Sequence, residues 1–414
     1  MTRYAELLAR LVSARRFGVV LGLDRMREVL DRLGSPDRHL GKVVHVAGTN
    51  GKGSTVAIVA SIAQAAGLRV ATYTSPHLSC LRERITIDGE MISEPAIVEI
   101  AAQVDAAGGN ELTFFEQLTA IAMVAIARGR VDVTVLEVGL GGRLDATNVV
   151  AADVAVITGV AFDHEAILGP TLDAIAREKA GIIKRGQHVV IGASGEPAAV
   201  PVLIAAARAE GVEPVVVGDD AVSSVPPLAL EGVHQRRNAA AALAAIDGLR
   251  GTTFTRGARE LGLSRVRHPG RFERAGDVIL DGAHNPHGAA ALAETLRARG
   301  LRPTLIVAIS SDKDAGAIAR ALAPVTSAVI ATRYRQERAM EPSRLAEAFR
   351  GIAGCPVDVA PELDTALAIA RKLGNPIVIA GSLFIVGEAR VALLGAPSDP
   401  VAVSDPVARS TSPP

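Results

Sequence analysis

The chain has 414 residues, 49% of them hydrophobic, with 44 Lys plus Arg against 44 Asp plus Glu. This balance removes any global electrostatic pull toward nucleic acid or an anionic membrane and leaves small molecules as the expected partners. The two cysteines, Cys80 and Cys355, lack partner spacing, which fits a reducing compartment and argues against a disulfide scaffold or a zinc site.

Single cores stop growing at roughly 250 to 300 residues, so two domains are expected. At the N-terminus Leu7, Leu8, Leu11 and Val12 have the spacing of a packed helix, without the continuous apolar run of an export signal. No stretch reaches the ~18 uninterrupted apolar residues of a membrane helix, and a cytoplasmic location is expected.

A strand over Lys42 to Ala47 runs into Gly48-Thr49-Asn50-Gly51-Lys52-Gly53-Ser54, and a helical pattern follows over Val56 to Ala66. Glycines let backbone N–H groups converge on an anion, the helix N-terminus adds partial positive charge, and the lysine supplies a point charge for outer phosphates. The segment reads as a nucleoside triphosphate site, although it departs from the common G-x-x-x-x-G-K-[ST] loop. Val46 stands at the first glycine position and Gly53 at the hydroxyl position.

Further strands are expected near Arg69 to Tyr73, Asp132 to Val138, Asp153 to Thr158, His188 to Ile191 and Val212 to Val217, with helices between. Such alternation means an α/β fold with a mostly parallel sheet covered on both faces, whose ligand sites lie at the carboxyl ends of strands. Unusual polar residues do cluster there, at Ser75 to His77, Glu137 to Asn148 and Phe162 to His164. A helix over Gln235 to Leu249 and a breaker-rich segment ending in His268-Pro269-Gly270-Arg271 precede a second series of strands. These lie near Val278 to Leu280, Thr304 to Ile309, Ala328 to Ala331, Val357 to Val359 and Ile377 to Ala380. The expected division is therefore an ATP-binding domain over 1–268, a smaller Rossmann-like domain over 269–395 and a disordered Pro/Ser/Ala-rich tail over 396–414.

Read by residue type, Glu137 at the end of an apolar strand suits a hard cation such as Mg²⁺, and equally a helix cap or ion pair. Lys179 near a helix end is plainly a cation favoured by the C-terminal dipole. Asp145, Ala146, Thr147 and Asn148 form a polar turn in which local capping is the usual role. Residues 113 to 117 read equally as a helix start.

Together the motifs resemble the folylpolyglutamate synthase and dihydrofolate synthase family within the Mur ligase superfamily. The resemblance rests on Gly48 to Ser54, Thr74-Ser75-Pro76-His77-Leu78, Glu137 to Asn148, Asp163-His164, Arg177 to Ile182, Asp281-Gly282-Ala283-His284-Asn285-Pro286 and Gly381-Ser382-Leu383, in the family's order. It implies a ligase that uses ATP and Mg²⁺ to join L-glutamate to dihydropteroate or to a folate. By the same resemblance, Ser75, Glu137 and His164 hold the metal. Gly48, Thr49, Asn50, Gly51, Lys52, Gly53, Ser54, Asn238, Arg271 and Asp281 bind ATP. Leu21, Gly22, Leu23, Phe115, Glu116, Asp145, Ala146, Thr147 and Asn148 line the folate site, and His284 orients the incoming amine. Lys52, Glu137, His164, Lys179 and His284 are the implied catalytic set, with Lys179 carbamylated by carbon dioxide. Arg82-Glu83-Arg84 looks like a mobile loop over the site, or else a solvated charge run. Ser310 to Asp314 departs from the small-residue loop expected there and receives only a possible part in the amino acid site.

A monomer without nucleic-acid or membrane partners is expected. A cell-wall Mur ligase, which carries a UDP-binding domain before the phosphate loop, is not expected with Gly48 so near the first residue. Two rivals stay open: a Mur-like amide ligase for a non-folate acid, and a nucleotide-binding regulator without ligase chemistry.

Overall fold

The computed structural model describes residues 2–14, 22–352, 354–374 and 376–403. The larger sheet is built from β1 (Lys42–Ala47), β2 (Val70–Tyr73), β3 (Ile85–Ile87), β4 (Glu90–Met91), β5 (Val133–Glu137), β6 (Val154–Ile157), β7 (His188–Ile191) and β8 (Val215–Val216). Their spatial order is β4-β3-β2-β5-β1-β6-β7-β8, parallel except for the antiparallel β2-β3-β4 edge. Strands β1, β5 and β6 are buried at nearly every position, as their continuous Val/Ile/Leu/Ala composition requires when helices cover both faces.

The helix Lys52–Ala65 shows why the site sits where it does. It leaves β1 through a turn with Gly51 in the left-handed region (φ +84°) and buries Ile58, Val59 and Ile62 completely against the sheet and helices Val233–Asp247 and Arg256–Arg265. Each such side chain contributes roughly 1.5–3 kcal/mol, so the N-terminus that faces the cleft is anchored by its own apolar face.

The smaller sheet holds β9 (Glu273–Ala275), β10 (Val278–Leu280), β11 (Thr304–Val307), β12 (Ala328–Ala331), β13 (Val357–Val359) and β14 (Ile377–Ala380), in the order β13-β12-β11-β14-β10-β9. All its neighbours are parallel except β9 with β10. Each sheet carries its own apolar clusters, as the two-domain expectation requires. No helix among the described residues is long and apolar enough to cross a membrane.

Two expectations are corrected, and one hairpin comes without an expectation. Arg82-Glu83-Arg84 is neither a mobile lid nor a solvated run. Arg84 is buried, and the Glu83 carboxylate accepts the backbone N–H groups of Leu78, Ser79 and Cys80. The Asp88-Gly89 turn after it makes the β3–β4 hairpin, a period-2 signal too short to stand out. Finally, residues 396–403 of the expected tail pack on the first domain, with Val403 3% exposed. Residues 404–414 lie outside the described residues, as does Leu21.

Candidate active site

Glycine is required at two points of the phosphate loop. A Cβ on Gly48 (φ +148°) would stand 2.0 Å from Thr158 Oγ1, and one on Gly51 would stand 2.2 Å from Asn238 Oδ1. Thr158 Oγ1 also donates to Asn50 O at 2.6 Å, so β6 fixes the turn from beneath. Asn238 is buried, accepts from Ser194 Oγ at 2.9 Å and donates to Gln235 at 3.0 Å, which sets it rigidly against the loop.

Two ammonium groups meet at one carbonyl. Lys52 Nζ donates to Gly48 O and Thr49 O, both at 3.2 Å, and Lys179 Nζ donates to the same Gly48 O at 3.1 Å. Lys179 does lie in the last turn of Leu172–Ala180, as expected, but it is buried and its ammonium points into the loop. Burial, followed by the nearby Lys52 charge, brings its amine down to about 7. A pocket that concentrates positive charge in this way is built to receive an anion.

Glu137 closes β5 beside the loop. It is buried, and its Oε2 accepts the Ser75 N–H at 3.1 Å, so two of the three residues assigned to the metal come together. Burial raises the carboxyl's pKa, opposed by the charges of Lys52, Arg271 and Arg84. Among the described residues no three His, Cys, Asp or Glu side chains form a metal-binding group. A single buried carboxylate beside a phosphate cradle suits Mg²⁺, which keeps waters and takes substrate phosphates as its remaining ligands. His164, in the left-handed region (φ +53°) and about half exposed, offers a nitrogen that Mg²⁺ prefers less; burial lowers its pKa.

The second domain reaches into this cleft. Asn285 Nδ2 donates to Asn50 Oδ1 at 3.1 Å and to Asp163 Oδ2 at 3.2 Å, and Asn50 Nδ2 donates to His287 Nδ1 at 3.0 Å. Lys313 Nζ donates to Asp163 Oδ1 at 2.9 Å, with both side chains nearly buried. Desolvation of Asp163 is outweighed by the charges of His164 and Lys313, which hold its carboxyl below the usual range. Asp281 accepts the Phe272 and Ala283 N–H groups, each at 2.9 Å. Arg271 lies close to Gly282, where a Cβ would meet its Nη1 at 2.1 Å. His284 Nδ1 donates to Gly282 O at 2.8 Å, leaving Nε2 as an acceptor, and burial brings its pKa down to about 4.

The residues expected at the folate site are largely committed to the protein itself. Asp145 accepts Gly139 N–H and Leu140 N–H at 3.0 Å, and also Thr147 N–H and its hydroxyl. Asn148 Nδ2 donates to Arg143 O and Gly181 O, both at 3.0 Å. Glu116 accepts the Thr113 N–H in a capping box, so residues 113–117 are indeed a helix start. Phe115 covers Gly139, whose Cβ would lie 2.5 Å from its ring, and Leu23 is buried. Ala146 is buried in the turn, and Gly22 adopts φ +146°.

Sequence reasoning gave Lys313 only a share in the 310–314 segment's possible part in the amino acid site and quoted Asn285 in a motif without a role; His287 and His268 it missed as cleft residues. His268 Nε2 would lie 2.9 Å from a Cβ on Gly53. Their only signal was position at strand ends or in the linker, which names a face of the fold and not a partner across it.

A phosphate cradle thus ends the larger, mostly parallel sheet, and polar groups from the smaller sheet's domain cap it. Residues 46–221 match the Mur ligase middle domain and residues 270–383 the Mur ligase glutamate ligase domain. Among curated relatives, a probable bifunctional folylpolyglutamate synthase/dihydropteroate synthase of Halobacterium salinarum is 36% identical over 94% of this chain and 51% of its own length. The chain thus spans about half the length of the first such relatives. The dihydrofolate synthase/folylpolyglutamate synthase of Mycobacterium tuberculosis is 37% identical over 89% of each chain. The solved Mycobacterium tuberculosis folylpolyglutamate synthase complexed with ADP superposes with a TM-score of 0.85 at 32% identity, covering 94% of this chain and 99% of that one. The chain belongs to the dihydrofolate synthase/folylpolyglutamate synthase family of Mur ligases.

Proposed function

We propose that this chain is an ATP-dependent ligase that joins L-glutamate to dihydropteroate, to the γ-carboxylate of a folate, or to both, through an acyl phosphate. The observation that carries the reading is the meeting of Lys52 and Lys179 on Gly48 O, beside the buried Glu137 and beneath Asn285 and Lys313 of the second domain. A regulator needs only the cradle, whereas a ligase needs a second wall that brings an amine to an activated carboxyl.

In this mechanism the acceptor carboxylate attacks the γ-phosphorus of ATP and ADP leaves. The neutral glutamate amine then forms a C–N bond to the acyl carbon, the C–O bond breaks with its electron pair leaving on phosphate, and that phosphate takes up the proton the amine gives up. Both steps build negative charge, which Lys52 and Arg271 stabilise. Glu137, with Ser75 and His164, would hold Mg²⁺, which when bound neutralises phosphate oxygens as a Lewis acid. His284 Nε2, an unprotonated acceptor at neutral pH, orients the incoming amine by hydrogen bonding. The buried Asp145 turn and Phe115 supply a rigid rim for the acceptor. Holding both substrates between the domains makes amine attack effectively intramolecular and keeps water from the acyl phosphate. Both walls come from one chain, so a monomer suffices, acting in the cytoplasm without nucleic acid or membrane.

The test is phosphate release that requires both L-glutamate and a pteroate or folate and that Lys52→Ala or Glu137→Ala abolishes in folded protein. Release that is unchanged when the folate is omitted refutes the proposal. Separate runs with dihydropteroate and tetrahydrofolate assign the acceptor.

A further inference from the structure

The helix Leu383–Leu394 ends at Gly395 in the left-handed region (φ +63°), and the chain then turns back to the first domain. There it binds the outer side of the loop between Ser75 and Arg84. Ser79 Oγ donates to Pro397 O at 2.8 Å, and the Asp399 N–H donates to Ser79 O at 3.1 Å. The Asp399 carboxylate accepts the Leu81 N–H and the Tyr4 hydroxyl, each at 2.7 Å. His77 Nε2 donates to Val403 O at 2.8 Å while its Nδ1 accepts from Arg84 Nε at 2.9 Å.

The other side of this loop rests on the same helix. A Cβ on Gly387 would stand 2.1 Å from the Leu78 carbonyl oxygen, so backbone meets backbone. A loop of the first domain is thus gripped between a helix of the second domain and the segment that continues it. The loop begins at Ser75, whose N–H is bonded to Glu137. Close-packed contacts transmit displacement instead of absorbing it.

We infer that residues 396–403 are a strap that positions Ser75 and Glu137 for a magnesium-bound triphosphate, with Asp399 as the positioning residue. Asp399 touches neither nucleotide nor metal in this scheme. It fixes the Leu81 backbone and thereby the exit of the loop whose entry is Ser75. The inference rests on the proposed nucleotide site, and its test is separable from ligase turnover.

The experiment is a Mg²⁺ titration of binding of a non-hydrolysable ATP analogue to the full chain, with thermal melts alongside. Asp399→Ala is expected to raise the Mg²⁺ concentration for half-maximal binding about tenfold, the low end for partners that orient a metal ligand. Metal-free nucleotide binding stays as in the unaltered protein, and Asp399→Glu restores most of the Mg²⁺ response. Tyr4→Phe, which keeps the Leu81 bond, gives a smaller shift. If Asp399→Ala does not fold, Ser79→Ala decides, with a smaller shift in the same direction. A Mg²⁺ midpoint within twofold of the unaltered protein overturns the inference, as does an equal loss of metal-free binding. A shifted midpoint in a protein without glutamate-dependent turnover would sink the ligase reading and leave the strap standing.

Discussion

Lys179 supports the sharpest prediction. With its amine brought to about 7, about half of it is neutral at pH 7, against about one in three thousand for an ordinary lysine near 10.5. A neutral amine can attack carbon dioxide: an N–C bond forms and one proton leaves, so that, with the proton already lost from the ammonium, a +1 group beside Lys52 becomes a −1 group. The two-ammonium repulsion at Gly48 O then becomes an attraction, and the new carboxylate adds an oxygen donor to a site where Glu137 supplies the buried carboxylate. Protein incubated with ¹³C-labelled bicarbonate at pH 8 with Mg²⁺ and ATP is expected to show one carbamate resonance, absent in Lys179→Arg. Turnover of Lys179→Arg falls about 10²-fold or more, the loss of one preorganised charged group. The absence of the resonance under those conditions, or full activity in Lys179→Arg, refutes the reasoning. The unmodified protein carries a matching pH signature. Between about pH 7 and 10.5 the unfolded chain holds a proton on this lysine that the folded chain has released, so this group adds stability as pH rises through that window. Its slope is at most about 1.4 kcal/mol per pH unit, and below pH 7 the full cost of the buried charge is present.

Two more outcomes follow from contacts between the domains. Lys313→Met leaves Asp163 nearly buried without its ion pair and is expected to lower stability by about 2 kcal/mol, under the range for fully buried pairs. In urea unfolding the Lys313→Met/Asp163→Asn double variant recovers most of that loss, and strict additivity would show that the pair is not coupled. Gly387→Ala places a Cβ against backbone that cannot rotate away, costing about 1–3 kcal/mol. Limited proteolysis should then cut the Ser75–Arg84 loop faster, and unchanged cleavage with an unchanged melt would refute the close approach.

Much of the architecture was legible because β1, β5, β6, β10, β11, β12 and β14 are largely apolar runs bounded by breakers, and parallel sheets demand such runs. The phosphate loop was legible because glycine spacing is a backbone requirement. The Arg82 to Arg84 segment misled because charge in sequence looks solvated, whereas Glu83 spends its charge on backbone N–H groups and Arg84 is buried. Lys179 misled likewise: its helix position is visible, and its burial is set by a loop 131 residues away. The 396–403 segment reads as part of a disordered tail by composition, yet its bonds are to Tyr4 and residues 77–81, contacts no local pattern encodes.

Both sheets end in very short strands: Glu90–Met91 and Val215–Val216 in one, Glu273–Ala275 and Val357–Val359 in the other. A neighbouring molecule that tried to extend either sheet would find only two or three residues to pair with before the backbone turned away. Val215 and Val216, 42% and 43% exposed, are therefore tolerable where a longer apolar margin would invite aggregation.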